Sequence, residues 1–219
     1  MPTRLQLALI GRRGARRVGW KVGLTSQAIQ QQFQVHEPVF GCLLAEGRLA
    51  SGQIFRRDAL IEPGFENELC IVMGSDLAPA ATRDDVAASV ARIHPAFEII
   101  ETRGDLTRQL ALALADNAQQ KAFVLGPAVE RDALPELDAV TVSVRINGGE
   151  AAAADGSAVL GHPYNSVVWL AAKLAQFGEQ VRAGDFIMSG SFTRQFPLAQ
   201  GDCIEAAFAG IGTVAASVD

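Results

Sequence analysis

The chain has 219 residues, of which 49% are hydrophobic, and we expect one compact domain over residues 1–219 with a sizeable buried core. Its formal net charge of −5 comes from interspersed acids and bases, a composition that argues against disorder. No apolar run approaches the roughly 20 residues that a membrane-spanning helix needs, and the N-terminus lacks a signal-peptide cleavage pattern, so we expect a soluble, cytoplasmic protein with no membrane partner.

The three cysteines, Cys42, Cys70 and Cys203, are odd in number and far apart in the sequence. This spacing argues against a disulfide framework and against a zinc knuckle, and it agrees with a reducing compartment.

A basic cluster near the N-terminus is the main concentration of like charge, and it contains Arg12, Arg13, Arg16 and Arg17. It lacks the interleaved aromatic residues that are typical of a nucleic-acid interface. We interpret it as a solvated basic turn or a subunit contact, and we expect no nucleic-acid partner.

Lys21 lies in the apolar segment VGWKVGLTS, and a short helix is predicted after Thr25 or Ser26 through SQAIQQQF. The lysine stem can lie along the core while its ammonium reaches water. Alternatively, a divalent cation in a partly dry pocket would lower the pKa of Lys21 and make it usable as an acid, a base or an oxyanion donor.

Two glutamates stand two residues apart in the strand-like segment GFENELCIVM. Because side chains alternate along a strand, Glu66 and Glu68 share one side. A third acid, Glu98, lies in the β-prone run HPAFEIIET. These acids either decorate a solvated sheet face, or they converge from neighbouring strands and repel one another unless protons or a cation neutralise them. Oxygen-only ligation would select Mg²⁺ or Mn²⁺, and zinc is the weaker choice because the histidines show no paired ligand spacing.

The remaining patterns predict helices and antiparallel strand pairs. A capping box of Thr82 and Asp85 begins one helix, and another runs from Pro163 to a stop at Gly178. The dipeptide Asn147-Gly148 follows an alternating run and predicts a hairpin, and a second pair is predicted in the segment 202–218. Clustered strands favour an α+β fold built around curled antiparallel sheets over a doubly wound parallel sheet.

Six segments together resemble the 2-keto-4-pentenoate hydratase family, within the fumarylacetoacetate hydrolase superfamily. They are GWKVGLTS, FENELCIVM, PAFEII, ADNAQQKAFVLG, LGHPYNSVVWLAAKLA and AGDFIMSGSFT, in the family's order and approximate spacing from about residue 19 to the C-terminus. The resemblance implies a mixed β-roll or sandwich of curled, mostly antiparallel sheets with a few packed helices, and a homo-oligomer.

The resemblance also implies the roles of individual residues. It makes Glu66, Glu68 and Glu98 the metal ligands and Lys21 a catalytic residue, and it matches Asp116 to the acid of the family's ADNA segment. Asp116 can equally be a turn or cap residue.

The same comparison places a hydroxyl-rich loop, with Ser189, Ser191 and Thr193, where a substrate carboxylate could be held. A simple turn is the alternative. His162 and Asn165 either orient the pocket or cap the helix that begins there, and we favour capping.

The activity implied is metal-dependent addition of water to a 2-hydroxy-2,4-dienoate, giving a 4-hydroxy-2-oxo acid in the degradation of aromatic compounds. Lys21 would assist proton transfer, and Asp116 or His36 would activate water. A metal-dependent decarboxylase of 2-oxo-3-enedioates is the alternative, with Arg194 holding the distal carboxylate, unless Arg194 is simply an exposed arginine.

Two departures from the family pattern favour a third possibility, a non-catalytic subunit that partners an active enzyme such as a decarboxylase. The helical sequence before GWKVGLTS is short, and Val39 stands in HEPVFG where the family often has an acid.

Overall fold

The computed structural model describes residues 2–26, 30–31, 34–104 and 106–219. Its described helices are α1 Pro2–Arg12, α2 Arg83–Ser89, α3 Leu106–Ala115 and α4 Pro163–Ala175. The strands are β1 Arg17–Gly23, β2 Val39–Leu44, β3 Arg48–Ala50, β4 Gln53–Phe55, β5 Pro63–Met73, β6 Val90–Glu101, β7 Gln120–Leu125, β8 Val129–Glu130, β9 Thr141–Ile146, β10 Gly149–Asp155, β11 Phe186–Met188, β12 Phe196–Pro197, β13 Cys203–Phe208 and β14 Gly212–Val218.

A nine-stranded mixed sheet forms the centre of the fold, with the order β2-β1-β11-β5-β6-β7-β3 and with β12 and β8 paired to β5 and β6. β1 with β11, and β3 with β7, are parallel, whereas the long central pair β5 and β6 is antiparallel. The sheet curls until β2 contacts β7, and a small core fills its concave side. The buried members of this core are Leu43, Cys70, Val72, Ala96, Phe123, Phe186 and Met188.

The opposite face of the central strands packs into the main core. Phe65 and Phe97 meet there at a ring-centroid distance of 5.2 Å, and Phe65 stacks on Phe196 at 5.3 Å. Aromatic contacts of this kind add to the free energy gained by burial alone. Phe65 therefore belongs to the core, although it flanks the acid pair in the sequence.

A five-stranded sheet, β10-β9-β13-β14-β4, covers part of the main core. The predicted hairpin is confirmed, because β9 and β10 pair antiparallel around Asn147 and Gly148, whose φ angles are 53° and 80°. The predicted C-terminal pair is confirmed as β13 and β14. Together the two curled sheets and their helices form the α+β architecture that the strand clustering predicts.

The predicted helix signals are confirmed at both helices that they mark. Thr82 and Asp85 form a reciprocal capping box at α2. The side chain of His162 accepts the Tyr164 backbone N–H as the N-cap of α4, so the capping interpretation holds for His162. Asn165 also binds the local backbone, donating to the Leu160 carbonyl. The helix predicted through SQAIQQQF lies largely outside the described residues.

Two of the described helices, α1 and α3, are not predicted from the sequence, and they pack against each other. Gln6 on α1 donates to the Phe40 carbonyl on β2 at 3.2 Å and so ties the helix to the rim of the large sheet. Within the described part of the chain, no helix has the length and apolar character needed to cross a membrane. The three cysteines are free thiols, with Cys42 and Cys70 buried and Cys203 exposed.

Candidate active site

The register of the two longest strands brings the three predicted acids together. Glu66 lies directly opposite Glu98 in the antiparallel β5–β6 pair, and Glu68 follows on the same face of β5. One carboxylate oxygen from each residue lies within 4.8 Å of the others. Glu68 is 1% exposed and Glu98 is fully buried, so the interpretation of these two acids as a solvated sheet face is wrong.

Burial dominates the electrostatics of this acid cluster. Removal from water, followed by the repulsion of Glu98 and Glu66, raises the pKa of Glu68 well above its usual value. Burial also raises the pKa of Glu98 to about 7, although Lys21 acts in the opposite direction. Burial likewise raises the pKa of Glu66, again against the effect of Lys21. At this separation, two ionised carboxylates repel by roughly 3 kcal/mol at an effective dielectric constant of about 20.

Lys21 is the cation of the cluster. Its side chain is 5% exposed, and Nζ lies 3.2 Å from Glu98 Oε1 and 3.4 Å from Glu98 Oε2. Burial favours the neutral amine, but the carboxylates outweigh burial and raise the pKa of Lys21. A lowered pKa of Lys21, as the sequence alone allows, would therefore require a bound cation. Without one, the net effect of the protein is to raise this pKa.

The path of the Lys21 side chain depends on a glycine of β2. Gly41 pairs with Lys21 across β1 and β2. A Cβ atom at Gly41 would lie 3.2 Å from Lys21 Cε, 3.3 Å from Lys21 Cγ and 2.9 Å from the Asn117 carbonyl oxygen. The absent side chain therefore leaves the groove in which the lysine stem runs.

The acid cluster has the donor set that a hard divalent cation requires. Glu68 Oε2 accepts the Gly190 backbone N–H at 2.8 Å, whereas Glu68 Oε1 has no hydrogen-bond partner. Glu98 Oε1 also lacks a hydrogen bond of good geometry, despite its closeness to Lys21. Buried acceptors without partners are costly, and a cluster of three carboxylates suits Mg²⁺ or Mn²⁺. The residues present therefore fit a divalent ion.

The loop after β11 approaches the acids through Gly190. Its φ angle is 108°, and a Cβ atom there would lie 2.5 Å from the hydroxyl oxygen of Thr25. Only a glycine fits between Thr25 and the backbone N–H that binds Glu68. This contact lies beyond what the motifs predict, since the donor is a backbone group and the glycine is its only sign in the sequence.

Asn67 fixes the same loop from the other face of β5. Its side-chain amide donates to Thr193 Oγ1 at 2.5 Å, and its backbone carbonyl accepts the Phe192 N–H at 3.0 Å. Ser191 Oγ donates to that carbonyl over a longer 3.4 Å. Ser191 and Thr193 line the cavity beside the acids, whereas Ser189 is fully buried and does not. Asn67 thus holds this loop in place, and the structure brings two of the three predicted hydroxyl residues, Ser191 and Thr193, to the site.

A cavity of about 580 Å³ opens beside the acid cluster. Its polar lining includes Lys21, Glu66 and Thr25, and Val39 also lines it. Arg194 lies at the cavity as an exposed residue, and its guanidinium stacks 4.2 Å from the ring centroid of Phe196.

The two residues predicted to activate water lie away from this lining. Asp116 is half-exposed, its carboxylate binds Arg103 Nε at 2.5 Å, and it borders a separate cavity of about 320 Å³. His36 is exposed. The neighbour of Asp116, Asn117, is buried and exchanges two hydrogen bonds with the Cys42 backbone. The structure therefore brings neither predicted water activator into the cavity.

Comparison with known proteins identifies relatives over most of the chain. Residues 21–219 match the family model for the fumarylacetoacetate (FAA) hydrolase C-terminal region. A 2-hydroxyhexa-2,4-dienoate hydratase from Comamonas testosteroni is 37% identical over 204 residues, which cover 91% of this chain and 77% of the relative. A 4-oxalocrotonate decarboxylase from Pseudomonas putida is 35% identical over 206 residues, covering 93% of this chain and 78% of the relative.

A solved structure agrees with this assignment. The 4-oxalocrotonate decarboxylase from Pseudomonas putida G7, complexed with magnesium and adipate, superposes with a TM-score of 0.91 at 33% identity, covering 97% of this chain and 82% of that one. The mixed β-roll that the motifs imply is therefore confirmed. From residue 21 to its C-terminus, with the acid cluster inside the matched region, the chain belongs to the fumarylacetoacetate hydrolase family of enzymes.

Proposed function

We propose that the protein is a divalent-metal-dependent hydratase that adds water to a 2-hydroxy-2,4-dienoate and forms a 4-hydroxy-2-oxo acid in the degradation of aromatic compounds. The observation that carries the proposal is the convergence of three carboxylates and Lys21 beside one cavity. The 37% identity to a dienoate hydratase supports it.

Glu66, Glu68 and Glu98 would hold the ion, and Mg²⁺ or Mn²⁺ suits their oxygen ligands. Magnesium and calcium complexes of the 33% identical decarboxylase support a divalent ion. When bound, such an ion would supply positive charge that attracts the substrate carboxylate and stabilises negative charge on the 2-oxygen.

Lys21 would move the proton of the reaction. The dienol loses the proton of its 2-hydroxyl group and gains one at the far end of the diene, which gives an unsaturated 2-oxo acid. Water then adds across the remaining alkene, with its oxygen bonding to carbon 4 and a proton going to carbon 3. A buried ammonium 3.2 Å from Glu98 is placed to hold and transfer such a proton.

Two groups are available to assist the attacking water. Among the described lining residues the titratable side chains are Lys21, Glu66 and Arg194. Arginine stays protonated, which leaves Lys21 and Glu66 for proton transfer. Ser191, whose bond to Asn67 is long, is the better hydroxyl for binding the substrate carboxylate, because Thr193 is held more closely by Asn67.

The direct test is turnover of 2-hydroxypenta-2,4-dienoate with Mg²⁺, with Mn²⁺ and with a chelator. We expect metal-dependent loss of diene absorbance and formation of 4-hydroxy-2-oxopentanoate, with ¹⁸O from labelled water found at carbon 4. No product with either metal would overturn the proposal.

A metal-dependent decarboxylase is the second candidate, favoured by Arg194 at the cavity and by the 35% identity to a 4-oxalocrotonate decarboxylase. A 2-oxo-3-enedioate would lose its distal carboxylate as carbon dioxide, because the electrons of the broken carbon–carbon bond pass through the alkene to the 2-oxygen and leave a 2-hydroxy-2,4-dienoate. Arg194 would bind that distal carboxylate before it leaves. Carbon dioxide release from such a diacid, reduced at least tenfold by Arg194→Met, would favour this reading over hydration.

A further inference from the structure

The cavity beside the acid cluster is larger than a simple dienoate requires. A five-carbon dienoate occupies about 200 Å³ if each heavy atom takes somewhat less than the roughly 30 Å³ of a water molecule in the liquid. The cavity volume is about 580 Å³, within the range of roughly 300–1,000 Å³ that is usual for pockets with drug-sized ligands. Space therefore remains for a substantial substituent.

The apolar part of the cavity wall comes largely from two segments that are distant in the sequence. α3 contributes Leu110, Ala113 and Leu114, and β10 contributes alanines at positions 152, 153 and 154. These three residues of α3 are partly buried, and the β10 alanines leave space because their side chains are single methyl groups. These apolar side chains are still partly exposed to water. Covering them with a hydrocarbon group of the substrate would lower the free energy of the complex.

The same wall offers little to a second carboxylate. Arg194 is the one cation besides Lys21 among the described lining residues. It is exposed, stacks on Phe196 at 4.2 Å and donates to the Gln195 carbonyl at 3.4 Å. Its charge is therefore already in contact with protein groups and with solvent, whereas the α3 and β10 residues described in the lining carry no charge.

We propose that the preferred substrate carries an apolar tail of about four or more carbons, alkyl or aryl, at the end of the dienoate far from the 1-carboxylate, and that this tail packs between α3 and β10. The inference rests on the proposed function for the position of the acid head group. It goes further in assigning the substrate class and the residues that select it.

Binding of unreactive substrate mimics tests the tail independently of turnover. Pyruvate, 2-oxohexanoate, 2-oxooctanoate and the diacid 2-oxoadipate are titrated calorimetrically into the 219-residue protein with saturating Mg²⁺. We expect affinity to rise about fourfold for each added methylene up to the limit of the cavity. The diacid should bind no more tightly than 2-oxohexanoate. Affinities that are flat or falling with chain length, or tightest for the diacid, would overturn the inference.

Substitutions in α3 and β10 test where the apolar tail binds. Leu114→Ala should weaken 2-oxooctanoate binding at least fivefold and leave pyruvate binding unchanged. Leu112→Ala is the matched control, because Leu112 lies on the same helix but is 62% exposed and borders the other cavity. Ala153→Leu, which fills the space instead of enlarging it, should also weaken 2-oxooctanoate alone. Equal effects of Leu114→Ala and Leu112→Ala would contradict the assigned wall.

Turnover of the matching dienoates separates this inference from the proposed function. If every dienoate is hydrated and the oxo acids bind equally well whatever their chain length, only the tail assignment is refuted. Graded binding of the oxo acids without hydration of any dienoate would leave the tail assignment standing and remove the hydratase.

Discussion

Glu66 and Glu98 face each other across the β5–β6 ladder as a directly opposed pair, one partly exposed at the cavity and the other fully buried. Like charges in directly opposed positions destabilise a sheet. The pair therefore lowers the stability of the metal-free protein unless protons, Lys21 or a metal ion compensate.

Removing one carboxylate should abolish tight metal binding. Glu68→Gln keeps the size of the side chain and an oxygen for the Gly190 N–H, but it removes the charge that faces the ion. We expect Mg²⁺ and Mn²⁺ affinity, measured by calorimetry, to fall at least about 100-fold. Glu205→Gln, at an exposed position on β13, is the control. Unchanged affinity in Glu68→Gln would remove the metal site.

The stability of the metal-free protein should fall as the pH rises from about 4.5 to about 7. The pKa of Glu98 is raised from 4.5 to about 7 in the folded protein, mainly by burial, so the folded state binds more protons than the unfolded state in this window. Stability then decreases with pH. Thermal unfolding at several pH values should show this slope for the wild type and a smaller slope for Glu98→Gln.

Saturating Mg²⁺ should oppose that trend, because metal ligation requires ionised carboxylates and strengthens as they lose protons. A metal-free melting temperature that rises with pH by the same amount in wild type and Glu98→Gln would contradict the assigned pKa direction.

Lys21→Met should lower kcat by about 100- to 10,000-fold, as expected for loss of a proton-transferring group. Metal affinity should stay equal or increase, since the variant removes a cation 3.2 Å from Glu98. Lys173→Met, which breaks a surface ion pair with Glu37, is the control. Retained turnover in Lys21→Met would show that this lysine only balances charge.

Gly41→Ala should affect the same step without touching the acids. The added methyl group meets the Lys21 stem and the Asn117 carbonyl, and overpacking of this kind costs about 1–3 kcal/mol of stability. We expect a lower kcat, an altered pH profile and normal Mg²⁺ affinity. Gly11→Ala has open space around it and should leave all three unchanged. A Gly41→Ala protein with the wild-type pH profile would mean that the groove does not position Lys21.

Asp116→Asn tests whether Asp116 is catalytic, as the resemblance implies, or only forms an ion pair with Arg103. Its carboxylate pairs with Arg103 and lies outside the cavity lining, so kcat should change less than about threefold, and loss of a half-exposed ion pair should cost at most about 1 kcal/mol. Arg103→Met should cost more stability than Asp116→Asn, because Arg103 also binds the buried Glu101 carboxylate at 2.6 Å. A large fall in kcat for Asp116→Asn alone would restore Asp116 as a catalytic residue.

Local patterns predict those features of the site that depend on neighbouring residues. Strand alternation places Glu66 and Glu68 on one face, and the capping signals mark the starts of α2 and α4. The approach of Glu98 depends on the register of two strands some 30 residues apart, which no local pattern determines and which the family motifs supply instead.

The segment of α3 shows why one helix lies beyond the sequence predictions. Leucines at 110, 112 and 114 alternate with alanine, a period of two that is typical of a strand. The high helix propensity of both residue types prevails. In the helix, Leu110 and Leu114 line the large cavity while Leu112 is exposed, as the spacing of four residues requires.

Asn117 protects one point of the large sheet's edge from pairing with other chains. β2 ends the order of the large sheet, where a strand normally leaves backbone groups available to another chain. The Asn117 amide accepts the Cys42 N–H and donates to the Cys42 carbonyl, in the way an adjoining strand would. The Asn117 side chain thus occupies both backbone groups of Cys42, next to the lysine groove, so that another β-strand cannot pair with the sheet at that residue.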